Sequence, residues 1–197
     1  MKSQITTKRG DGGTGIALDG DTYSKSHAIM ECVGCVDELR AHTALLRLLI
    51  IKGKPRPRDY KVLDDFLFWL LHTFFLIGSA CSDPTEKHHE YHRRRLCPKD
   101  IQELEDEQER LERQAKLGRC FVVSASNPLG AQADIVVAIA RRLERNVVRL
   151  KEAVPEFEAT HILAFVNRLS DYLYILARTL DNGTQLGVDY DILGPQP

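Results

Sequence analysis

The sequence predicts an all-α fold, a five-helix bundle running up and down. Five segments place apolar residues at alternating three- and four-residue steps. Most connections between them are short and punctuated by Pro or Gly. No stretch alternates apolar and polar residues long enough to indicate a sheet.

Residues Thr6 to Gly20, TTKRGDGGTGIALDG, carry no helical period and read as a flexible loop. Successive glycines there let backbone N–H groups converge on an anion, with Lys8 and Arg9 adding charge. The first helix runs from Ile29 to about Ile51, with Val33, Val36, Leu39, Leu46 and Leu49 inward and Asp37, Arg40 and Arg47 elsewhere. Gly34 must then lie where a neighbour comes close, or else weaken the helix. After KGKPRPRD, Asp59 can cap a second helix, Tyr60 to about Ala80. Its run FLFWLLHTFFLIG is too short for a bilayer crossing and reads as the most buried helix of the bundle.

The polar stretch SDPTEKHHEYHRRRLCPKD places a mobile loop at 85–99. His88, His89, His92 and Cys97 invite a metal, but Arg93, Arg94 and Arg95 oppose a cation, which favours a solvated basic loop. Asp100 can cap a third helix, Ile101 to about Lys116, whose narrow apolar stripe of Ile101, Leu104, Leu111 and Ala115 marks an outer position. Within Arg119 to Pro128, CFVV is a short extended piece. The fourth helix, Gln132 to Lys151, buries Val136, Ala140, Leu143, Val147 and Leu150. The fifth, about Glu158 to Leu180, buries Ile162, Phe165, Leu169, Leu173 and Leu176; its opposite side carries Asn167, Asp171, Tyr174 and Arg178 as a polar stripe. Residues 181–197 form a tail.

At 197 residues and 43% hydrophobic, the chain suits one domain spanning 1–197. A net charge of -1 argues against nucleic acid or an anionic membrane as partner, so any basic site is local. Five irregularly placed cysteines do not form a disulfide framework and indicate a reducing compartment. Cys32-x-x-Cys35 lies inside a helix without a second pair, which favours buried thiols over zinc or redox chemistry. The amino terminus has neither the apolar core of a signal peptide nor the pattern of a transit peptide.

The densest chemistry lies on the fourth helix. Arg141, Arg145 and Arg149 stack at i, i+4 and i+8, where they repel unless an anion or carboxylates lie beside them. The row therefore points to a phosphate-rich ligand or an acidic partner surface, a solvated basic face being the alternative.

Several motifs together resemble the corrinoid adenosyltransferases of the propanediol-utilisation type, the cob(I)alamin adenosyltransferases. Thr7-Lys8-Arg9-Gly10-Asp11-Gly12-Gly13 is similar to the family loop T-[KR]-T-G-D-x-G, and Lys25 falls where a family lysine follows it. Gly34 with Val36-Asp37-Glu38-Leu39 matches G-x-V-D-E-L, and Gly78 to Pro84 resembles G-x-x-L-A-T-P. Arg141-Arg142-Leu143-Glu144-Arg145 is similar to R-R-A-E-R, and Asn167-Arg168-Leu169-Ser170-Asp171-Tyr172-Leu173 reproduces N-R-L-S-D-Y-L.

The resemblance implies a homotrimer that binds ATP between subunits, with residues 1–28 as the nucleotide-binding loop of one copy facing the Arg helix of the next. It implies transfer of the 5′-deoxyadenosyl group of ATP, with Mg²⁺, to the cobalt(I) of a reduced cobalamin, and an adenosylcobalamin-dependent enzyme as recipient. The setting would be cytoplasmic, or the mitochondrial matrix for a eukaryotic source. Arg141 and Arg145 would act on the leaving triphosphate; Thr7, Lys8, Arg9, Gly10, Gly13, Thr14, Lys25 and Arg142 would grip the nucleotide. Glu144 would hold the arginines, Asn167 would bond the nucleotide, and Phe121 would meet the corrin and displace its lower ligand. No resident metal on protein ligands is implied.

The chain departs from the pattern at Gly15, at Arg40, at Ser124-Ala125-Ser126 and at Val137, where the family carries an arginine that pairs with the aspartate of V-D-E-L. Asp37 then needs Arg40 or another cation as partner. A non-catalytic relative that carries or senses ATP or a corrinoid is the competing reading.

Overall fold

The computed structural model describes residues 6–115, 117, 121–181 and 186–194. Five α-helices make up the body: α1 (Ala28–Lys52), α2 (Tyr60–Ser82), α3 (Pro98–Glu112), α4 (Pro128–Ala153) and α5 (Thr160–Leu180). Side-chain pairings fix their directions. Gln132 bonds His42, and Cys35 faces the Ile139 carbonyl, so α1 and α4 run antiparallel. Arg47 pairs with Asp64 while Cys32 meets Cys81, so α1 and α2 do too. Glu144 meets Asn167 and Asp134 meets Arg178 between α4 and α5. Arg110 reaches Asp59, setting α3 against the direction of α2. Consecutive helices therefore alternate, which is the up-and-down bundle expected.

The stripes are close to those read from the sequence. On α4 all five expected residues are buried, and on α5 so are Ile162, Phe165, Leu169, Leu173 and Leu176. On α1 the buried series is Cys32, Val36, Leu39, Thr43, Leu46 and Ile50; Val33 and Leu49 flank it and are only half-buried.

Several local expectations are corrected. α2 is not the most buried helix: it packs chiefly on α1 and leaves Val62, Phe68 and Phe75 exposed. Arg47 lies over the Phe68 ring and Arg40 over Phe75, so two guanidiniums partly cover that face. At 23 residues α2 also matches a membrane-crossing helix in length and composition, where a shorter apolar run was expected. Its Leu63, Leu67, Leu70, Phe74 and Ile77 are nevertheless fully buried in the bundle core.

Asp59 stands at the N-cap of α2 but makes no capping bond, because its carboxylate is engaged by Arg110 at 2.8 Å. Asp100 is not the cap of α3 either. Cys97 holds that position, Pro98 opens the helix, and Asp100 reaches back to the Cys97 N–H as the third residue of a capping box. α3 ends at Glu112, short of Lys116. Gly34 has no neighbour within 4 Å of where a Cβ would sit, so nothing in its own chain requires a glycine there.

Two small antiparallel ladders appear where no sheet was expected: β1 (Thr14–Ile16) with β2 (Thr22–Ser24), and β3 (Val122–Ser124) with β4 (Leu186–Gly187). Each is two or three residues long, too short for an alternation signal. The 85–99 stretch, expected as a mobile loop, is tied down. The buried Asp83 carboxylate accepts the N–H groups of Lys87 and His88, each at 2.9 Å, and the His92 ring at 3.0 Å. Burial raises the pKa of Asp83, but the bonds from His88, His92 and Lys87 outweigh it and hold the carboxyl below its ordinary range.

Candidate functional site

The amino-terminal loop folds as two successive tight turns, with Asp11 N–H bonding Lys8 O and Gly13 N–H bonding Gly10 O. Gly13 adopts φ +80°, a left-handed conformation that glycine takes without strain. Lys25 donates its N–H to Gly13 O, and its ammonium lies 3.2 Å from the position a Cβ on Gly10 would take. Gly10 thus admits the lysine, and Lys8, Arg9 and Lys25 are gathered, exposed, on one loop. Thr7 is exposed and Thr14 half-buried in β1.

The hairpin behind this loop is fastened to the end of α2. Leu18 N–H bonds Ser82 Oγ at 2.9 Å, and Lys87 forms an ion pair with Asp21. Tyr23 donates to the buried Asp19 at 2.5 Å, and this bond, with burial, pushes its pKa up to about 12. His27, stacked on Tyr23, caps α1 by accepting the Ile29 N–H.

On α4 the arginines divide. Arg141, Arg145 and Arg149 are exposed and, among the described residues, have no carboxylate partner; Arg145 only bonds the Arg141 carbonyl, and Arg149 the Asn146 side chain. Arg142 instead turns to α1 and pairs with Glu38. Glu144, expected to hold the arginines, accepts Asn167 Nδ2 at 3.2 Å, because α5 brings Asn167 closer than any guanidinium. Asn167 Oδ1 in turn accepts from Arg168, which is anchored on Glu105 of α3. Glu144 and Asn167 therefore form one polar unit beside a row of exposed cations.

The α5 stripe is corrected at Arg178 alone. Asp171 and Tyr174 are exposed as expected, but Arg178 is buried, bonded to both oxygens of Asp134 at 2.6 Å and paired with Asp181 at 3.3 Å. Asp37 is exposed and pairs with Arg40 at 3.0 Å on its own helix, while Val137 is buried. Arg40 thus serves as the cation that the valine cannot supply.

Phe121 is 84% exposed. It precedes β3, whose Val122 and Ser124 pair with Gly187 and Leu186, and Val188 N–H bonds its carbonyl at 3.1 Å; Val123 of β3 and Leu186, Tyr190, Ile192 and Leu193 of the tail are exposed as well. These segments lie at the end where α4 begins. The glycine-rich loop lies at the opposite end, beside the start of α1. The expected residues thus form three groups, and none of the described bonds of residues 7–25 reaches α4 or α5.

A cavity of about 770 Å³ opens elsewhere, among Leu76, Leu96, Phe157, Ile162, His92 and Asp83, and holds none of the expected site residues. Among the described residues, no group of three or more His, Cys, Asp or Glu forms a metal cluster. Cys32 and Cys35 are buried thiols, Cys32 facing Cys81 at 3.2 Å.

A row of exposed arginines beside an Asn–Glu unit, on a five-helix bundle with a glycine-rich cationic loop, is an arrangement with the chemistry to suit a phosphate-bearing ligand. Residues 5–180 match the family model described as cobalamin adenosyltransferase. The chain belongs to that family. It is 31% identical over 180 residues to the human corrinoid adenosyltransferase MMAB, covering 89% of this chain and 68% of that protein. It is likewise 31% identical to a cobalamin adenosyltransferase of Cupriavidus metallidurans, covering 91% of this chain and 89% of the other. Against the Citrobacter freundii enzyme PduO, 29% identical, it spans half of the relative's length. In fold it is similar to a PduO-type ATP:corrinoid adenosyltransferase from Lactobacillus reuteri, a variant complexed with cobalamin and ATP, with TM-score 0.78, 23% identity, and coverage of 95% and 99% of the two chains.

Proposed function

We propose that this chain transfers the 5′-deoxyadenosyl group of ATP to cob(I)alamin or a related corrinoid, giving adenosylcobalamin and triphosphate. The observation that carries the reading is the row of Arg141 and Arg145, exposed and without carboxylates, beside Glu144 and Asn167. The cobalt(I) electron pair attacks C5′, the carbon–oxygen bond to the triphosphate breaks, and its electrons leave on oxygen. Negative charge gathers on the leaving group, and fixed guanidiniums stabilise it without rearranging. Cobalt is the nucleophile, so no general base is needed; the protein's work is to position the reactants and exclude water. Asn167 would turn its amide from Glu144 to the nucleotide, and Thr7, Lys8, Arg9, Gly10, Gly13, Thr14 and Lys25, within the 1–28 loop, would close over the phosphates. Mg²⁺ fits as a counter-ion carried by the triphosphate, since phosphates with only one or two carboxylates usually complete its shell.

The site requires more than one copy. The 26 residues of α4 span about 39 Å and separate the loop's end of the bundle from that of Phe121. Since none of the described bonds of residues 7–25 reaches α4 within one copy, the loop of one copy would meet the Arg row of the next, as a homotrimer allows. The exposed Phe68 and Phe75 offer apolar area for association. An adenosylcobalamin-dependent enzyme would take the product, in the cytoplasm or the mitochondrial matrix.

The test is an anaerobic assay with chemically reduced cobalamin, ATP and Mg²⁺, following the visible spectrum for cobalt–carbon bond formation. Adenosylcobalamin and triphosphate are expected in equal amounts. ATP binding without turnover would replace the enzyme by a carrier or sensor.

A further inference from the structure

Resting on the transfer reaction proposed above, we infer that Asp181 is a positioning residue that sets how Phe121 meets the corrin. Five residues after Phe121 the chain is pinned from beneath. Asp181 Oδ1 accepts the Ser126 N–H at 2.9 Å and the Ser126 hydroxyl at 3.1 Å. Next to it, Asn127 donates to Leu180 O at 2.8 Å while its own Oδ1 accepts the N–H groups of Leu129 and Gly130 at the start of α4. The carboxylate is fully buried and is held by the equally buried Arg178, which Asp134 orients from α4. Gly130 belongs to the same device, since a Cβ there would lie 2.2 Å from Asp181 Oδ1.

A buried charge cluster is a poor way to gain stability, because an apolar replacement of similar volume often does as well. Its usual return is a single geometry. Here the geometry is that of a three-residue strand whose preceding side chain, Phe121, is 84% exposed. Val188, the residue after β4, bonds the Phe121 carbonyl at 3.1 Å. The segment is thus held at Phe121 itself and again at Ser126, while the exposed ring is left for a flat apolar ligand. Asp181 touches neither ring nor ligand; it acts through Ser126. The hydroxyl bond depends on the serine, since a glycine there would offer only the N–H.

The experiment compares the wild type with Ser126→Ala and Asp181→Asn, each with ATP and either reduced cobalamin or reduced cobinamide, which lacks the tethered lower base. If Asp181 sets the ring that displaces the lower ligand, Asp181→Asn lowers kcat with cobalamin by on the order of ten- to a hundredfold. Turnover of cobinamide falls far less, and ATP affinity is unchanged. Ser126→Ala shifts the cobalamin-to-cobinamide ratio in the same direction by less, and it preserves the test if Asp181→Asn does not fold. An unchanged ratio in both variants, or an equal loss on both corrinoids, overturns the positioning role. Failure of the wild type on both corrinoids defeats the transfer reaction itself, and the positioning role with it.

Discussion

At the end of the bundle where α1 begins, the connections are fastened mostly by ion pairs with an exposed member, Lys87 on Asp21, Arg95 on Glu86 and Arg94 on Asp100, together with the buried Asp83 carboxylate under three donors. At the end where α4 begins, two buried charges do the same work, Arg178 and Asp181, with Asp134 at their edge. Exposed pairs are each worth little and substitute for one another. A buried pair is worth little against an apolar substitute, yet it is costly to break by half. The first end should therefore yield gradually to mutation and the second abruptly.

The sharpest way to break this contrast is Arg178→Ala. It leaves Asp181 buried with Ser126 as its one donor among the described residues, and the expected loss is about 3–5 kcal/mol by chemical denaturation. A loss below about 1 kcal/mol would mean that the two ends are built alike. Next comes Gly130→Ala, which drives a methyl group onto Asp181 Oδ1 from 2.2 Å. Overpacking of this kind costs about 1–3 kcal/mol, read as a lowered Tm. Combined with Ser126→Ala it should be non-additive, since both act through one carboxylate.

Asp83 tests the more forgiving end. Its carboxyl is held below the ordinary range of about 3.9. A depressed folded-state pKa contributes stability that is fully present above that range and is lost as pH falls through the lower, folded value. Asp83→Asn should therefore cost about 1.5–3 kcal/mol at pH 7, as hydrogen bonds to a charged group do. The difference from wild type should shrink on acidification and vanish once the wild-type carboxyl is protonated. Hydrogen exchange across 83–96 would follow it, and a pH-independent difference would remove the carboxylate from the account.

How much of this was legible in the sequence follows the same division. Helix count, direction and the stripes of α4 and α5 were readable because periodicity reports burial directly. So was the Arg141, Arg145 and Arg149 row, since spacing alone stacks it. The Glu144–Asn167 bond was not legible, because Asn167 arrives from a helix 23 residues away. Arg178 looked solvent-facing because four-residue steps put it on the Asn167 stripe, and only the start of α4 buries it. Asp181 resembled the first residue of a tail. Buried ion pairs between distant segments leave no periodic trace; the nearest hint is Arg178 and Asp181 three residues apart at the end of an apolar helix. α2 erred the other way, since its apolar run exceeds the stripe it buries.

The smallest effect on stability is expected at the residue that matters most for chemistry. Arg145 is exposed and has no carboxylate partner among the described residues; its guanidinium bonds only the Arg141 carbonyl one turn earlier. Arg145→Ala removes one member of a like-charge row and installs the best helix former, so stability without ligand should stay within about 0.5 kcal/mol of wild type. The repulsion it relieves is an exposed one and is screened at high ionic strength, so any gain should appear only in low salt. With ATP the order reverses. Wild type should gain about 2.7 kcal/mol at a hundred times Kd, by mass action alone. The variant should gain far less, as a charge-assisted bond to phosphate is gone. Thermal unfolding with and without ATP, at two salt concentrations, reads both halves at once. A variant that loses stability without ligand would assign Arg145 to the scaffold. One that keeps the full ATP-dependent shift would move the phosphates away from α4.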